Sequence, residues 1–261
     1  MTREKPILGV VHLKALPSAP RARLAFPQVL ELALADAKAL ADGGVDGIFL
    51  ENFGDAPFCK GTRADPVAPD VPAALAVVAR EVRLATSLPV GINCLRNDAV
   101  AALGAAVVAG ASWVRVNVLT GAAVTDQGIL DAEAERVLAY RRRVGASARI
   151  LADLFVKHAQ PLAPAPLADA ARDLAERSGA DGLILTGART GAPVDPGQVR
   201  AVRAAVGAFP IWIGSGLDPD NAATLLPLCD GAIVGTWFKV DGRIDHPVDP
   251  DRVRKLTQIR S

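Results

Sequence analysis

Polar residues close a series of short apolar runs in this chain, and their types set the chemistry to be explained. PILGVVH ends in His12, GIFLEN in Glu51 and Asn52, PVGIN in Asn93 and WVRVN in Arg115 and Asn117. RILAD ends in Asp153, LILT in Thr186, IGS in Ser215 and AIVGT in Thr236. A polar group buried without partners costs several kcal/mol, so such endings point to partners or a ligand. A single Asn or Asp there could simply cap the next helix. Six or seven converging on one rim are hard to explain as caps alone. Glu51 and Asp153 are the candidate acid–base pair: two carboxylates at one mouth divide the roles if their surroundings separate their pKa values. Either could instead hold a ribose diol or an arginine. Lys157 and His158, in LFVKHA, add a partner for a carboxylate or oxyanion and a proton shuttle near neutral pH. Both also fit blander duties, solvation for one and packing under the loop for the other. His12, Asn93, Asn117 and Thr186 are candidate substrate-binding residues, the two amides offering both donor and acceptor. A Schiff-base mechanism requires a desolvated lysine, for which Lys157 is the one candidate.

Two glycine-bearing turns carry the sharpest local signal, IGSGL at 213–217 and GAIVGT at 231–236. Glycines let backbone approach a ligand closely, and N–H groups of such turns can cradle a phosphate dianion. Gly214, Ser215, Gly216, Gly235 and Thr236 are the candidate phosphate-binding residues, with Lys239 as an added positive charge. The same glycines would also serve tight turns.

These residues must be positioned by the elements that precede them. Short apolar strands alternate with Ala-rich amphipathic segments in eight strand–helix units. The strands are expected at 6–13, 46–52, 88–95, 112–118, 148–155, 181–187, 209–216 and 230–236. The helices are expected at 27–42, 71–86, 98–109, 131–144, 167–178 and 196–206, then from about 219 and from about 249. Asp195 fits an N-cap and Pro196 the first helical position. The segments 53–70 and 119–128 read as irregular loops. GGVDGIFL, AGASWVRV, SGADGLIL and LCDGAIVG form a weak repeat, in which a helix stop precedes each strand. Eight units without a linker predict one domain over residues 1–261, a single α/β (β/α)8 TIM barrel. Such barrels typically take about 250 residues, place their sites at the C-terminal strand ends, and often hold phosphate after strands seven and eight. A doubly wound sheet would usually show GxGxxG after its first strand, where this chain has HLKALPSAP.

Composition bounds the rest. Of 261 residues 51% are apolar but only 4% aromatic, which suits helices packed on a buried parallel sheet. A net charge of +1 gives no electrostatic case for nucleic acid. No run approaches the ~20 apolar residues of a membrane span, and the N-terminus lacks a signal-peptide pattern. The isolated cysteines Cys59, Cys94 and Cys229 show no metal spacing and read as reduced thiols in a cytoplasmic protein. The expected partners are a phosphorylated small molecule and further copies of the chain, with no metal and no cofactor.

Longer segments resemble the BtpA/SgcQ family of TIM-barrel proteins: GVVHLKALPSAPR, GVDGIFLENFGDAPF, PVGINCLRND, WVRVNVLTGAAVTDQGI, ADLFVKHA, LILTGARTG, WIGSGL and GAIVGTWFKVDGRIDHPVDPDRV. The resemblance spans nearly the whole chain. It implies the barrel and a phosphate site similar to those of the ribulose-phosphate-binding barrels, which include tryptophan-pathway isomerases and synthases. One branch of the family is associated with photosystem I biogenesis or stability in cyanobacteria, others with bacterial sugar uptake and catabolism. The resulting expectation is an isomerase or lyase acting on a phosphorylated sugar or nucleotide-like compound. The alternative is a non-catalytic assembly factor that keeps the phosphate pocket.

Overall fold

A computed structural model describes residues 5–163, 165–187 and 191–260. The barrel strands are β1 (Ile7–His12), β2 (Gly47–Glu51), β3 (Val90–Asn93), β4 (Trp113–Val116), β7 (Arg149–Asp153), β9 (Gly182–Leu185), β10 (Ile211–Ile213) and β11 (Gly231–Val234). They close in the order β1-β11-β10-β9-β7-β4-β3-β2, and every pairing is parallel. The helices are α1 (Phe26–Asp42), α2 (Asp70–Thr86), α3 (Ala99–Ala109), α4 (Ala134–Arg143), α5 (Leu167–Arg177), α6 (Pro196–Val206), α7 (Ala222–Leu225) and α8 (Pro250–Thr257). Each unit is a strand followed by its helix, so the chain is a (β/α)8 barrel, as its sequence implies. No helix among the described residues is long and apolar enough to cross a membrane.

Local chemistry explains the boundaries. Asp195 accepts hydrogen bonds from the amides of Gly197 and Gln198 and caps α6, and Asp98 caps α3 through the Ala101 amide. Asn97, beside it, makes no cap and clamps the backbone N–H and C=O of Val118. The helix expected from about 219 shrinks to the four residues of α7, because Asp218 takes the amides of Asp220 and Asn221 into a tight turn first.

The segment expected to be a loop after β4 is not irregular. β5 (Ala122–Thr125) and β6 (Gly128–Asp131) form an antiparallel hairpin, and β8 (Ala159–Pro161) pairs with the other edge of β5. Ala123, Leu130, Val118 and Val156 bury a small apolar cluster beneath this three-stranded sheet. Strands of three or four residues are too short to show alternation, so the glycines and polar residues around them read as loop.

Strand periodicity fills the barrel in layers. Leu8 and Val10 of β1, Phe49 of β2, Trp113 of β4, Leu151 of β7, Ile184 of β9, Trp212 of β10 and Ile233 of β11 form one interior cluster. The Trp113 ring lies 6.3 Å from Phe49 and 6.4 Å from Trp212. Three of the chain's few aromatics thus plug the interior below the mouth.

Candidate active site

Two residues further along the same strands, the same inward parity changes from apolar to charged. Phe49 is followed by Glu51, Trp113 by Arg115, Leu151 by Asp153 and Val10 by His12. Arg115 is the hub of this layer. Its Nε and Nη2 donate to Asp153 Oδ2 and Oδ1 at 3.1 and 2.9 Å, and its Nη1 donates to Glu51 Oε1 at 3.1 Å. Asn117 donates to Asp153 Oδ2 at 2.7 Å, and Asn93 donates to Glu51 Oε1 at 3.1 Å. All five side chains are buried. The arrangement is a guanidinium bridging two carboxylates, each braced by an amide, rather than two carboxyls sharing a proton.

Electrostatics follow from that bridge. Burial raises the Glu51 pKa, but Arg115, then His12 and Lys157, outweigh it and hold the carboxyl below its ordinary value. Burial pulls the Arg115 pKa down, while Asp153 and Glu51 more than reverse this. Burial brings His12 down to about 4, so its imidazole is neutral at pH 7. Its Nδ1 has no hydrogen-bond partner among the described residues, and its ring meets Phe53 edge-on at 5.2 Å. Lys157 is brought down to about 8, by burial first and by Arg115 next.

A cavity of about 270 Å³ joins this layer to the two glycine turns. His12, Glu51, Arg115 and Lys157 line one part of it, and the turns after β10 and β11 line the rest. The Gly214 amide is committed to the barrel, donating to the Leu185 carbonyl at 2.7 Å. The amides of Ser215, Gly216, Leu217, Thr236 and Trp237 carry no hydrogen bond among the described residues. Five residues whose amides make no hydrogen bond among the described residues therefore line one cavity, and free amides in such turns are the donors with which backbone binds an anion. Gly216 has φ +69°, and a Cβ there would enter the van der Waals shell of the Ala192 carbonyl. At Gly235 a Cβ would lie 2.7 Å from His12 Cε1. Glycine at these two positions is thus required by backbone shape and by the imidazole.

Not every candidate from the sequence reaches this cavity. Asn93 braces Glu51 and is not among the residues lining this cavity. Asn117 and Asp153 line a neighbouring cavity of about 260 Å³ with Phe155, Val156 and Leu162. Thr186 donates to the Phe155 carbonyl at 3.2 Å, and His158 is exposed with φ +56°. Lys239 is 1% exposed and forms an ion pair with Asp36 of α1 at 2.5 Å, away from the glycine turns. Five residues after β11, Lys239 follows a short 3₁₀ turn at Thr236–Phe238, and its side chain pairs with α1. Conversely, Arg252 of α8 lines the cavity unforeseen, its guanidinium 3.9 Å from the Trp237 ring and its Nε bonded to the Trp237 carbonyl at 2.6 Å. No local pattern marks Arg252. Arg115 did carry a signal: a charge amid WVRV, on the inward parity, requires a carboxylate at its own level.

The fold defines the class: a closed (β/α)8 barrel. Phosphoribosyl anthranilate isomerase from Thermus thermophilus superposes with a TM-score of 0.55 at 16% identity, over 97% of this chain and 96% of that one. Orotidine 5'-phosphate decarboxylase from Pyrococcus horikoshii gives 0.54 at 15% identity, over 98% and 99%. At such identities the likeness concerns the fold alone. The chain belongs to the BtpA family, which it matches over residues 3–260. Among its relatives, the photosystem I biogenesis protein BtpA of Synechocystis is 44% identical over 95% of this chain and 85% of that protein. An uncharacterized protein of Pyrococcus furiosus is 44% identical over 99% and 95%. The putative sgc region protein SgcQ of Escherichia coli is 28% identical over 98% and 94%.

Proposed function

We propose that this chain is an enzyme acting on a phosphorylated sugar or nucleotide-like small molecule, by isomerase- or lyase-type acid–base chemistry at the barrel mouth. One observation carries the reading: a single cavity is lined both by five residues whose backbone amides are unbonded among the described residues and by His12, Glu51 and Lys157. The amides after β10 and β11 bind the phosphate. The reacting carbon then lies near His12 and Lys157, whose lowered pKa values leave the imidazole neutral and part of the amine unprotonated near pH 8. Lys157 takes up and returns a proton efficiently because its pKa lies near the working pH, while His12 offers a neutral ring as acceptor. Glu51 stays ionised at the cavity wall and stabilises positive charge on either. Asp153 acts through Arg115 as a positioning residue. The proposal includes one barrel domain, cytoplasmic, assembled as a homo-oligomer.

The test is a thermal-shift panel of inorganic phosphate, sugar phosphates and nucleotides, followed by solvent-deuterium exchange into any ligand that stabilises. A ligand that binds only the native state raises the melting temperature. No stabilisation by any of them would overturn the reading. A second reading, a non-catalytic biogenesis factor, draws on the function named for the Synechocystis relative. Glu51→Gln separates the two: an enzyme loses turnover with its fold intact, whereas an assembly factor keeps its function and fails only when its surface is altered.

A further inference from the structure

We propose, resting on the reading of this cavity as a site for phosphorylated metabolites, that Lys157 is a nucleophile that captures the carbonyl of a phosphorylated aldehyde or ketone as an imine. The observation is an amine in the wrong company for a structural lysine. Lys239 is held by Asp36, Lys5 by Asp230 and the Cys229 carbonyl, and Lys14 by the Asp245 carbonyl. No salt bridge or hydrogen bond is made by the Lys157 Nζ among the described residues. It lines the same cavity as the residues with free amides.

The groups around it come from four directions. After burial itself, Arg115 of β4 is the strongest influence, and it disfavours the ammonium. Arg96, after β3, does the same, and its Nη2 also grips the Lys157 carbonyl at 2.7 Å, which fixes the backbone from which the amine projects. Glu51 of β2 and Asp153 of β7 favour the ammonium, but both already share Arg115. Desolvation and adjacent cations are the two established ways to make a lysine nucleophilic near neutral pH. His12 of β1 lines the same cavity with a neutral ring and an unpartnered Nδ1.

The step balances with water as its only by-product. The amine lone pair adds to the carbonyl carbon, a C–N bond forms, and the C=O π pair moves to oxygen, which takes a proton from the new ammonium nitrogen. The hydroxyl takes a second proton from solvent and leaves as water as the nitrogen lone pair closes the C=N bond, giving the iminium. Hydrolysis reverses the sequence, and no oxidant or reductant is needed. Once formed, the cationic iminium acidifies the adjacent C–H, and His12 is placed to take that proton.

The experiment treats the full chain at pH 8 with pyridoxal 5'-phosphate, a phosphorylated aldehyde, reduces with borohydride, and maps the labelled peptides by mass. The expected result is labelling of Lys157 at least tenfold faster than of the exposed Lys38 or Lys255, slowed by inorganic phosphate. Lys157→Arg should abolish that label while inorganic phosphate still raises the melting temperature. Labelling of Lys157 no faster than of Lys38, with phosphate still stabilising, overturns the nucleophile and leaves the phosphate site standing. Absence of both stabilisation and protection by phosphate overturns the underlying reading of the cavity.

Discussion

Arg115 grips Asp153 through two parallel hydrogen bonds, Nε to Oδ2 and Nη2 to Oδ1, at 3.1 and 2.9 Å, with both side chains out of solvent. Such fork-shaped pairs fix geometry as well as charge. Removing the guanidinium leaves two buried carboxylates facing each other, and breaking a buried pair typically costs about 3–5 kcal/mol. Arg115→Met is expected to lower stability by this order in urea unfolding. Arg115→Lys should recover only part, since an ammonium cannot reproduce the bidentate fork.

Gly216 supports a second expectation. Its positive φ costs a non-glycine residue about 1–2 kcal/mol, and a new Cβ would press on the Ala192 carbonyl. Gly216→Ala should therefore both destabilise the fold and remove most of the phosphate-induced rise in melting temperature. For the wild-type chain that rise corresponds to about 2.7 kcal/mol at a phosphate concentration of 100 Kd.

Acid sensitivity follows from His12. Its folded pKa of about 4 lies below the ordinary 6.5, so the unfolded chain binds the proton first. Stability is then fully present above 6.5 and falls as pH drops towards 4. Glu51, held below its ordinary value, loses stability in the same direction, as pH falls through and below its unfolded pKa. A lowered histidine pKa of this kind is a stability contribution on the order of a few kcal/mol. Urea midpoints measured from pH 7 to 4 should show this slope, and His12→Gln should flatten it between 6.5 and 4.5.

Asp36 and Lys239 provide a control. Asp36→Ala leaves a buried ammonium alone and should cost about 3–5 kcal/mol, read again by urea unfolding. Because the pair lies outside the mouth cavity, phosphate should still raise the melting temperature of this variant. A selective loss of the phosphate response would return Lys239 to the anion site.

The barrel was legible because its signal is redundant. Each unit repeats a helix stop and an apolar strand, so errors of one or two residues at the ends of β2 or β7 did not disturb the count. Single-residue geometry was less so. Glu51, His12 and the glycine turns share one cavity because inward parity is a property of each strand alone. Lys239 and His158 lie past the strand ends, where that parity no longer holds. The Glu51–Asp153 distance depends on register around the barrel, which no single strand encodes, so the intervening Arg115 was not visible as their link. Arg252 arrives from a helix at the other end of the chain and had no local mark at all.

The three-stranded sheet at the mouth has a mechanical consequence. β8 begins two residues after Lys157, and it is stitched to β5, which follows Asn117 and Arg115 on the strand next door. The amine therefore rides on a plate shared by both connections. The backbone that carries Lys157 is thereby tied, through β8 and β5, to the connection that follows Arg115, so the two loops brace each other at the mouth.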